Sequence, residues 1–75
     1  MWKEGSLKVH DSVFHYWMKR YDEGSQFGID GGRISKLMLK RNGTMVANYD
    51  RGWDINPTDP DTQLAVEILL HSENY

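Results

Sequence analysis

A glycine-rich segment, FGIDGGRISKL at residues 27–37, is the first place where the residue types of this chain could do chemistry. Glycines grouped in this way can cradle a phosphate, hold a tight turn or let another backbone approach closely. Gly28, Gly31 and Gly32 match neither the phosphate-binding loop nor the dinucleotide-binding pattern, which both lead into a helix. These glycines precede a strand-like run instead. We therefore expect a turn or bulge in which Asp30 hydrogen-bonds nearby backbone and the glycines adopt positive φ angles.

Aromatic and basic residues are interleaved along the strand-like parts of the chain, which makes them candidates for a binding surface. On a sheet, such residues can stack nucleic-acid bases and neutralise phosphates. Aromatic residues and Met are also enriched in protein interfaces, and long lysine stems can simply cover exposed rings. We predict a binding surface made of Trp17, Lys19, Tyr21, Lys36, Lys40, Tyr49 and Arg51.

Asp30, Arg33 and Asp50 are predicted to form a structural polar network that fastens the glycine-rich segment to the sheet. Arg33 and Asp50 lie at the open ends of two paired strands, where an arginine–carboxylate fork would hold the loop. No nucleophile with a neighbouring base is apparent, so no catalytic residue is predicted. An enzyme would need a deep pocket that holds Asp30, Asp50 or a histidine with a perturbed pKa.

Neither a metal site nor a cofactor is predicted. Asp54, Asn56 and Thr58 alternate like the first ligands of an EF-hand, but Asp59 stands where that loop needs Gly and Ala65 where it needs Glu. The histidines are dispersed and lack the spacing of metal ligands: His10, His15 and His71.

Four strand-like segments must position the predicted surface. Residues 2–10 and 12–21 are expected to form the first two strands around a short polar turn, and a glycine-rich connection follows at residues 22–32. Alternation along the second strand assigns two sets of side chains to opposite faces: Phe14, Tyr16 and Met18 on one, and Val13, His15 and Trp17 on the other.

Asn42-Gly43 predicts a hairpin, because this dipeptide supplies the positive φ angles of a type I′ turn. A two-residue loop implies the register Lys40–Met45, Leu39–Val46, Met38–Ala47, Leu37–Asn48 and Lys36–Tyr49. The core face would then carry Leu37, Leu39 and Val46, and the opposite face Lys36, Met38, Lys40, Met45 and Tyr49.

A helix is predicted after the turn-rich residues 54–59. Thr58 or Asp59 can cap it, Pro60 suits its first turn and Asp61 suits the positive end of its dipole. A broad apolar face at helical spacing follows: Leu64, Ala65, Ile68 and Leu69, flanked by Val66 and Leu70.

The order β-β-β-β-α predicts one small α+β domain over residues 1–75. We expect a four-stranded antiparallel β-meander with the C-terminal helix packed on one face. The other face would be solvated or covered by a partner, and function is expected there.

Composition and charge fit a small folded domain. The chain has 27% charged and 39% hydrophobic residues, and it has no cysteine that could form a disulfide or hold zinc. Residues 1–53 hold all nine Lys and Arg against six acids, whereas residues 54–75 hold five acids and no Lys or Arg. The acidic segment could lie on a mildly basic one, or a basic surface could be offered to an anionic partner.

No targeting segment is recognisable, and no apolar run approaches the roughly 20 residues that span a bilayer. We therefore expect a cytoplasmic protein without a membrane partner.

Several segments together resemble a family of short, uncharacterised bacterial proteins, some of them associated with phage or mobile elements. The resemblance runs from about Phe14 to Leu70. It is carried by Tyr16-Trp17, Gly28-Ile29-Asp30, Gly32-Arg33-Ile34-Ser35-Lys36-Leu37 and Tyr49-Asp50-Arg51-Gly52-Trp53-Asp54. The family has no assigned activity, so the resemblance implies no catalytic residue and only a cytoplasmic, accessory role.

The leading functional expectation is an interaction module whose helix-free sheet face docks a protein, including a second copy of the chain. The alternative is a weak nucleic-acid-binding domain that uses the same face. The negative total charge of −2 favours a protein partner over nucleic acid. A small enzyme is the third alternative.

Overall fold

A computed structural model describes residues 2–74 of the chain. Its elements, in chain order, are β1 (Trp2–Val9), β2 (Ser12–Arg20), β3 (Ile34–Arg41), β4 (Thr44–Asp50), β5 (Trp53–Ile55) and α1 (Pro60–Leu69). A short 3-10 turn at Ile29–Gly31 precedes β3, and one π-helical turn at Leu70–Asn74 follows α1. No helix in this part of the chain is long and apolar enough to cross a membrane.

The strands form an antiparallel meander in the order β1-β2-β3-β4-β5, so the α+β class and the packing of the helix on one face are confirmed. The expected number of four strands is wrong, because β5 adds a fifth. Arg51 takes a φ of 60°, and the Asp50 N–H donates to the Gly52 carbonyl at 2.9 Å. This tight reversal returns the chain beside β4 at Trp53, whereas the sequence pattern indicated a turn from residue 54 onwards.

The hydrophobic core lies between the sheet and α1. Its strand residues include Phe14, Met18, Leu37 and Leu39, each with no exposed side-chain area. The predicted faces of β2 are confirmed, since Phe14 and Met18 are buried and Val13 is exposed.

Helix α1 presents a different stripe to the core from the predicted one. Its buried residues are Thr62, Ala65, Val66 and Leu69. Leu64 and Ile68, which were expected in the core, are 43% and 44% exposed. Thr62 can be buried because its hydroxyl donates to Asp59 Oδ1 at 2.6 Å, which removes the cost of an unsatisfied polar group.

The β3–β4 hairpin begins in the predicted register, with Lys40 opposite Met45. One extra residue in β4, Val46, then shifts the pairing so that Leu39 faces Ala47 and Leu37 faces Tyr49. This β-bulge moves every later side chain of β4 to the other face. The assignments of Tyr49 to the helix-free face and of Val46 to a regular core position are therefore wrong. Tyr49 is buried in the core instead, at 7% exposure.

The glycine-rich segment forms a turn, as predicted, but its three glycines have two different roles. Gly31 has a φ of 72°, and the residue before it, Asp30, has a φ of 52°. Gly28 and Gly32 have negative φ angles. A Cβ on Gly28 would collide with the Gly32 carbonyl, and a Cβ on Gly32 would collide with the Asn74 side chain. Close approach, rather than positive φ, is thus the reason for glycine at positions 28 and 32.

Asn74 fastens the end of the described chain to the start of β3. Its side-chain oxygen accepts from the Ile34 N–H, and its amide donates to the Ile29 carbonyl, both at 2.8 Å. Its own carbonyl accepts from the Arg33 N–H at 2.9 Å. Asn74 is 1% exposed, so these bonds satisfy groups that water does not reach.

Of the two caps that the sequence predicted, Thr58 and Asp59, it is Asp59 that caps α1. Its carboxylate accepts from the Thr62 N–H at 3.1 Å and from both terminal nitrogens of Arg41, at 2.9 and 3.3 Å. These bonds, first that of Arg41 and then those of Thr62, hold the pKa of Asp59 well below its usual range. Asp61 lies 2.8 Å from His10 Nδ1 and accepts from the Ser12 hydroxyl at 3.0 Å, so α1 is tied to the β1–β2 turn.

Candidate functional site

The sheet face opposite α1, which we call the open face, follows from the strand pairing. Its central row runs across the sheet through Glu4, Trp17, Met38, Asn48 and Ile55. One neighbouring row contains Ser6, His15, Lys40 and Met45, and the other contains Trp2, Lys19, Lys36 and Asp50. No helix within residues 2–74 covers this face, and Trp2 is 56% exposed.

The centre of the open face is an ordered aromatic and charged cluster. The rings of His15 and Trp17 are 4.3 Å apart between centroids, at a tilt of 56°. His15 Nε2 lies 2.8 Å from Glu4 Oε2, and Lys40 Nζ lies 5.8 Å from the centroid of the Trp17 ring. Contacts with His15 and Lys40 therefore hold the indole of Trp17 in place before any partner arrives, and Glu4 fixes His15 in turn.

One end of the open face contains a cleft of about 410 Å³, which we call the cationic cleft. Its lining includes three cations, one carboxylate and two rings: Lys19, Lys36, Arg51, Glu23, Tyr21 and Phe27. Lys19 Nζ lies 5.6 Å from the centroid of the Tyr21 ring, and Arg51 Cζ lies 5.9 Å from that of Phe27. The two rings are 47% and 49% exposed. Lys36 has Asp50 at 3.9 Å, a long contact for an ion pair.

Arg51 occupies a strained backbone position in this cleft. Its φ of 60° is in the left-handed region, which disfavours non-glycine residues, and its N–H donates to the Ser35 carbonyl at 3.1 Å. Gly52 is the next residue, yet the left-handed conformation falls on the arginine. The strain directs a guanidinium over Phe27.

The structure brings most of the predicted surface residues together. Trp17, Lys19, Lys36 and Lys40 share the open face, and Tyr21 and Arg51 line the cationic cleft beside two of them. Tyr49 lies on the other side of the sheet, where its hydroxyl donates to the Phe27 carbonyl at 3.0 Å. Burial, and to a smaller extent the Asp30 carboxylate, raises the pKa of Tyr49.

Sequence analysis missed two residues of this site, and it assigned Met38 to this face without naming it in the predicted binding surface. Trp2 lies beside the predicted lysines only because β1 and β2 pair in this register, and Phe27 belongs to an irregular loop. The alternation of side chains along β1 and β2 could have assigned Trp2 to this face of the sheet. No such pattern could have placed Phe27, because it lies outside the strands.

The members of the predicted polar network occupy different places. Asp50 lies near Lys36 on the open face, whereas Asp30 lines a cleft beside Trp53 on the helix side. Within residues 2–74, no hydrogen bond or ion pair joins the side chains of Asp30, Arg33 and Asp50. The main chain of Arg33 is fastened by Asn74 instead.

Charge is divided between the two sides of the sheet. Three acids from the C-terminal segment are paired on the helix side: Asp59 with Arg41, Asp61 with His10, and Glu73 with Lys3 and Arg20. The open face retains the lysines at positions 8, 19, 36 and 40 against the carboxylates at positions 4, 50 and 54, the last of which accepts from the Asn48 amide at 3.3 Å. Lysines thus outnumber carboxylates there, and the open face is locally basic.

The described residues contain no group of three or more His, Asp or Glu side chains placed to hold a metal ion. No curated protein and no solved structure matches the chain. A family model matches residues 1–74, in agreement with the resemblance to an uncharacterised family. The chain therefore belongs to the family described as Domain of unknown function (DUF7678).

Proposed function

We propose that this chain is a small protein-interaction module that docks an acidic protein surface on its open face. The division of charge carries the proposal. Two of the C-terminal acids, Asp59 and Glu73, pair with cations on the helix side, so the lysines around Trp17 are left for an external partner. Complementary charge of this kind steers association and selects the partner.

The open face also has the composition of a protein-binding surface. Trp2, Val13 and Ile55 are exposed, and Met38 lies opposite Trp17 on the neighbouring strand. Aromatic side chains and Met supply large contact areas at interfaces, and a polar rim excludes water from such a centre. Here the rim would be the lysines at positions 8, 19, 36 and 40.

A titration of the ¹⁵N-labelled protein with a peptide of alternating Glu and Leu tests this proposal. We expect amide shifts on β2, β3 and β4 and on the Trp17 indole. Replacing Lys19 and Lys36 by Gln should weaken binding about five- to tenfold, since each lost ion pair at an exposed site is worth up to about 1 kcal/mol.

The matched control for the single substitution Lys36→Gln is Lys3→Gln, which removes the same charge on the helix side, where Lys3 pairs with Glu73 at 2.7 Å. The control should bind like the wild type. Shifts centred on α1, or equal weakening by both single substitutions, would refute docking on the open face.

Light scattering over a range of protein concentrations separates an external partner from a second copy. A constant monomer mass is expected if the partner is another protein. A mass that rises with concentration, together with shifts on the open face, would replace the external partner by self-association.

The cationic cleft favours a second candidate function, which is weak binding of nucleic acid. Two exposed rings beside three cations could stack a base and contact its phosphate. Titrations with single-stranded and duplex oligonucleotides at two salt concentrations test this candidate, because phosphate contacts weaken steeply as salt rises. Absence of binding at low salt would eliminate it.

The cellular setting is part of the same proposal. We propose a cytoplasmic, accessory role, on the basis of the resemblance to bacterial and phage-associated proteins. Fractionation of cells that express the tagged chain checks the compartment, and recovery in the membrane fraction would contradict it.

A further inference from the structure

A second cleft, of about 530 Å³, lies on the helix side of the sheet, and we call it the helix-side cleft. Its floor is apolar, since Ile29, Val66 and Leu70 are 3%, 5% and 6% exposed. One wall is the indole of Trp53, which is 36% exposed. The cleft thus combines an apolar floor with an accessible aromatic ring, which is typical of small-ligand sites.

Two carboxylates line this cleft, and neither is neutralised. The side chains of Asp30 and Glu67 have no hydrogen-bonded or ion-paired partner among residues 2–74. By contrast, three other acids of the C-terminal segment each have a partner on the helix side: Asp59, Asp61 and Glu73. No lysine or arginine of the described chain lines the cleft, so its negative charge is open to an external cation.

The aromatic wall is held in a fixed orientation. The Trp53 ring meets the Tyr49 ring edge-on, with centroids 5.1 Å apart and an angle of 76° between the planes. Tyr49 is fixed in turn by its bond to the Phe27 carbonyl. Burial, and to a smaller extent the Asp30 carboxylate, raises the pKa of Tyr49.

We propose that the helix-side cleft binds an organic cation, namely an ammonium or guanidinium head carried on a short apolar stem. The head would lie over the Trp53 ring, where cation–π attraction operates, and between the two carboxylates. The stem would cover the floor of Ile29, Val66 and Leu70 and displace water from it.

Other ligand classes fit this cleft less well. An anion would be repelled by both carboxylates, and a wholly apolar molecule would take water away from them without neutralising them. A bare metal ion would find too few ligands, since the described residues contain no cluster suited to one. The proposal is independent of the proposed function, because it concerns the opposite side of the sheet.

The test is a titration with isopentylammonium, with isopentanol as the neutral probe of the same shape. The readout is the indole N–H resonance of Trp53. We expect that the ammonium shifts this resonance and that the alcohol binds at least fivefold more weakly, because the alcohol lacks the charge. Equal binding of the two probes, or no shift of the resonance, would overturn the proposal.

The variant Asp30→Asn/Glu67→Gln removes both charges. Asn tolerates the left-handed backbone of position 30 as Asp does, so the turn should persist. We expect affinity for the ammonium to fall about five- to tenfold. The matched control, Asp11→Asn/Asp22→Asn, removes two charges at exposed positions elsewhere and should leave affinity within about twofold. Equal losses of affinity in both variants would show that only the total charge of the protein matters. That result would refute the site.

A third titration tests whether the bound cation belongs to a protein side chain or to a free amine. Binding of acetyl-Gly-Arg-Gly-amide severalfold tighter than agmatine would indicate a basic side chain of a protein, and the reverse would indicate a free amine. The Lys19→Gln/Lys36→Gln variant should bind isopentylammonium normally. Failure of the open-face proposal and failure of this one would therefore be seen separately.

Discussion

Replacement of the buried Asn74 should lower the free energy of unfolding strongly. In Asn74→Ala, the Ile34 N–H and the Ile29 carbonyl lose their side-chain partner in a buried place. Each unsatisfied buried group costs about 1–3 kcal/mol, so we expect a loss of about 2–4 kcal/mol in the free energy of unfolding, measured with urea. The control Asn48→Ala removes an amide that bonds Asp54 at an exposed site and should change little. Equal stability of the two variants would contradict this role of Asn74.

Gly32 and Gly52 should respond differently to replacement by alanine. A methyl group at position 32 would collide with Asn74, whereas one at position 52 would meet nothing within 4 Å. Gly32→Ala should therefore lose about 1–3 kcal/mol of stability, as overpacked sites do. Gly52→Ala should be neutral or slightly stabilising, because it restricts the unfolded chain. Chemical denaturation of both variants measures the difference, and a stable Gly32→Ala protein would contradict the close approach.

The hydrogen bond of the Tyr49 hydroxyl should stabilise the fold in a way that depends on alkaline pH. At neutral pH, Tyr49→Phe should cost about 0.5–1.5 kcal/mol, the net value of one hydrogen bond. Burial raises the pKa of Tyr49 in the folded state, so the contribution is fully present below pH 10 and is lost as pH rises through the folded pKa. The gap between wild type and variant, followed by thermal melts, should narrow above about pH 10. A stability difference that widened above that pH would contradict the expected direction of the pH dependence.

At the scale of elements, the start of α1 predicts sensitivity to acid. The pKa values of Asp59 and Asp61 are lowered in the folded state, mainly by Arg41 and His10 respectively. Their contribution is present above the ordinary value of 3.8 and is lost as pH falls below it. Asp59→Asn keeps an N-cap acceptor but loses the charge, so its midpoint temperature should fall less than that of the wild type between about pH 5 and about pH 2. Parallel pH profiles would contradict this account.

Elements with strong local signals were predictable, and their exact register was not. Asn42-Gly43 predicted the hairpin and its first pair, Lys40 with Met45. The bulge at Val46 left no mark in the sequence, because Val suits a regular strand as well as a bulge. One extra residue then reversed the face of Tyr49, which removed it from the predicted surface.

Helix α1 shows the same limit. Its cap and its first turn followed from Asp59 and Pro60, whose roles are local. Its orientation depended on the burial of Thr62, which a pattern of apolar residues cannot show, because the hydroxyl of Thr62 is satisfied only by the folded position of Asp59. Hence Leu64 and Ile68 were assigned to the core and are exposed.

At the scale of the whole molecule, the division of charge was visible in the sequence as a change of sign near Asp54. The sequence did not show which acids meet which cations, because those pairs join distant segments, as in the contact of Glu73 with Lys3. The two clefts were not predictable for the same reason. Phe27 and Trp53, a ring in each cleft, come from an irregular loop and from the unexpected strand β5.

The two sides of the sheet should act independently. Lys19→Gln/Lys36→Gln and Asp30→Asn/Glu67→Gln change opposite faces and share no hydrogen-bond or ion-pair partner in the described chain. We expect their effects on the free energy of unfolding to add within about 0.3–0.5 kcal/mol in the combined variant. Urea denaturation of the four proteins of this cycle measures the sum. A larger coupling would indicate that the sheet transmits strain from one face to the other.

Strand β1 ends one side of the meander and is eight residues long, which exposes the molecule to unwanted pairing with other chains. A flat apolar border of that length would act as a template for aggregation. Lys3, Glu4 and Lys8 interrupt it with charges on both faces, and an incoming strand would have to strip water from them. Replacing Lys3 and Lys8 by Val would remove this protection, and the chain would then be expected to form insoluble β-rich assemblies although its fold is unchanged.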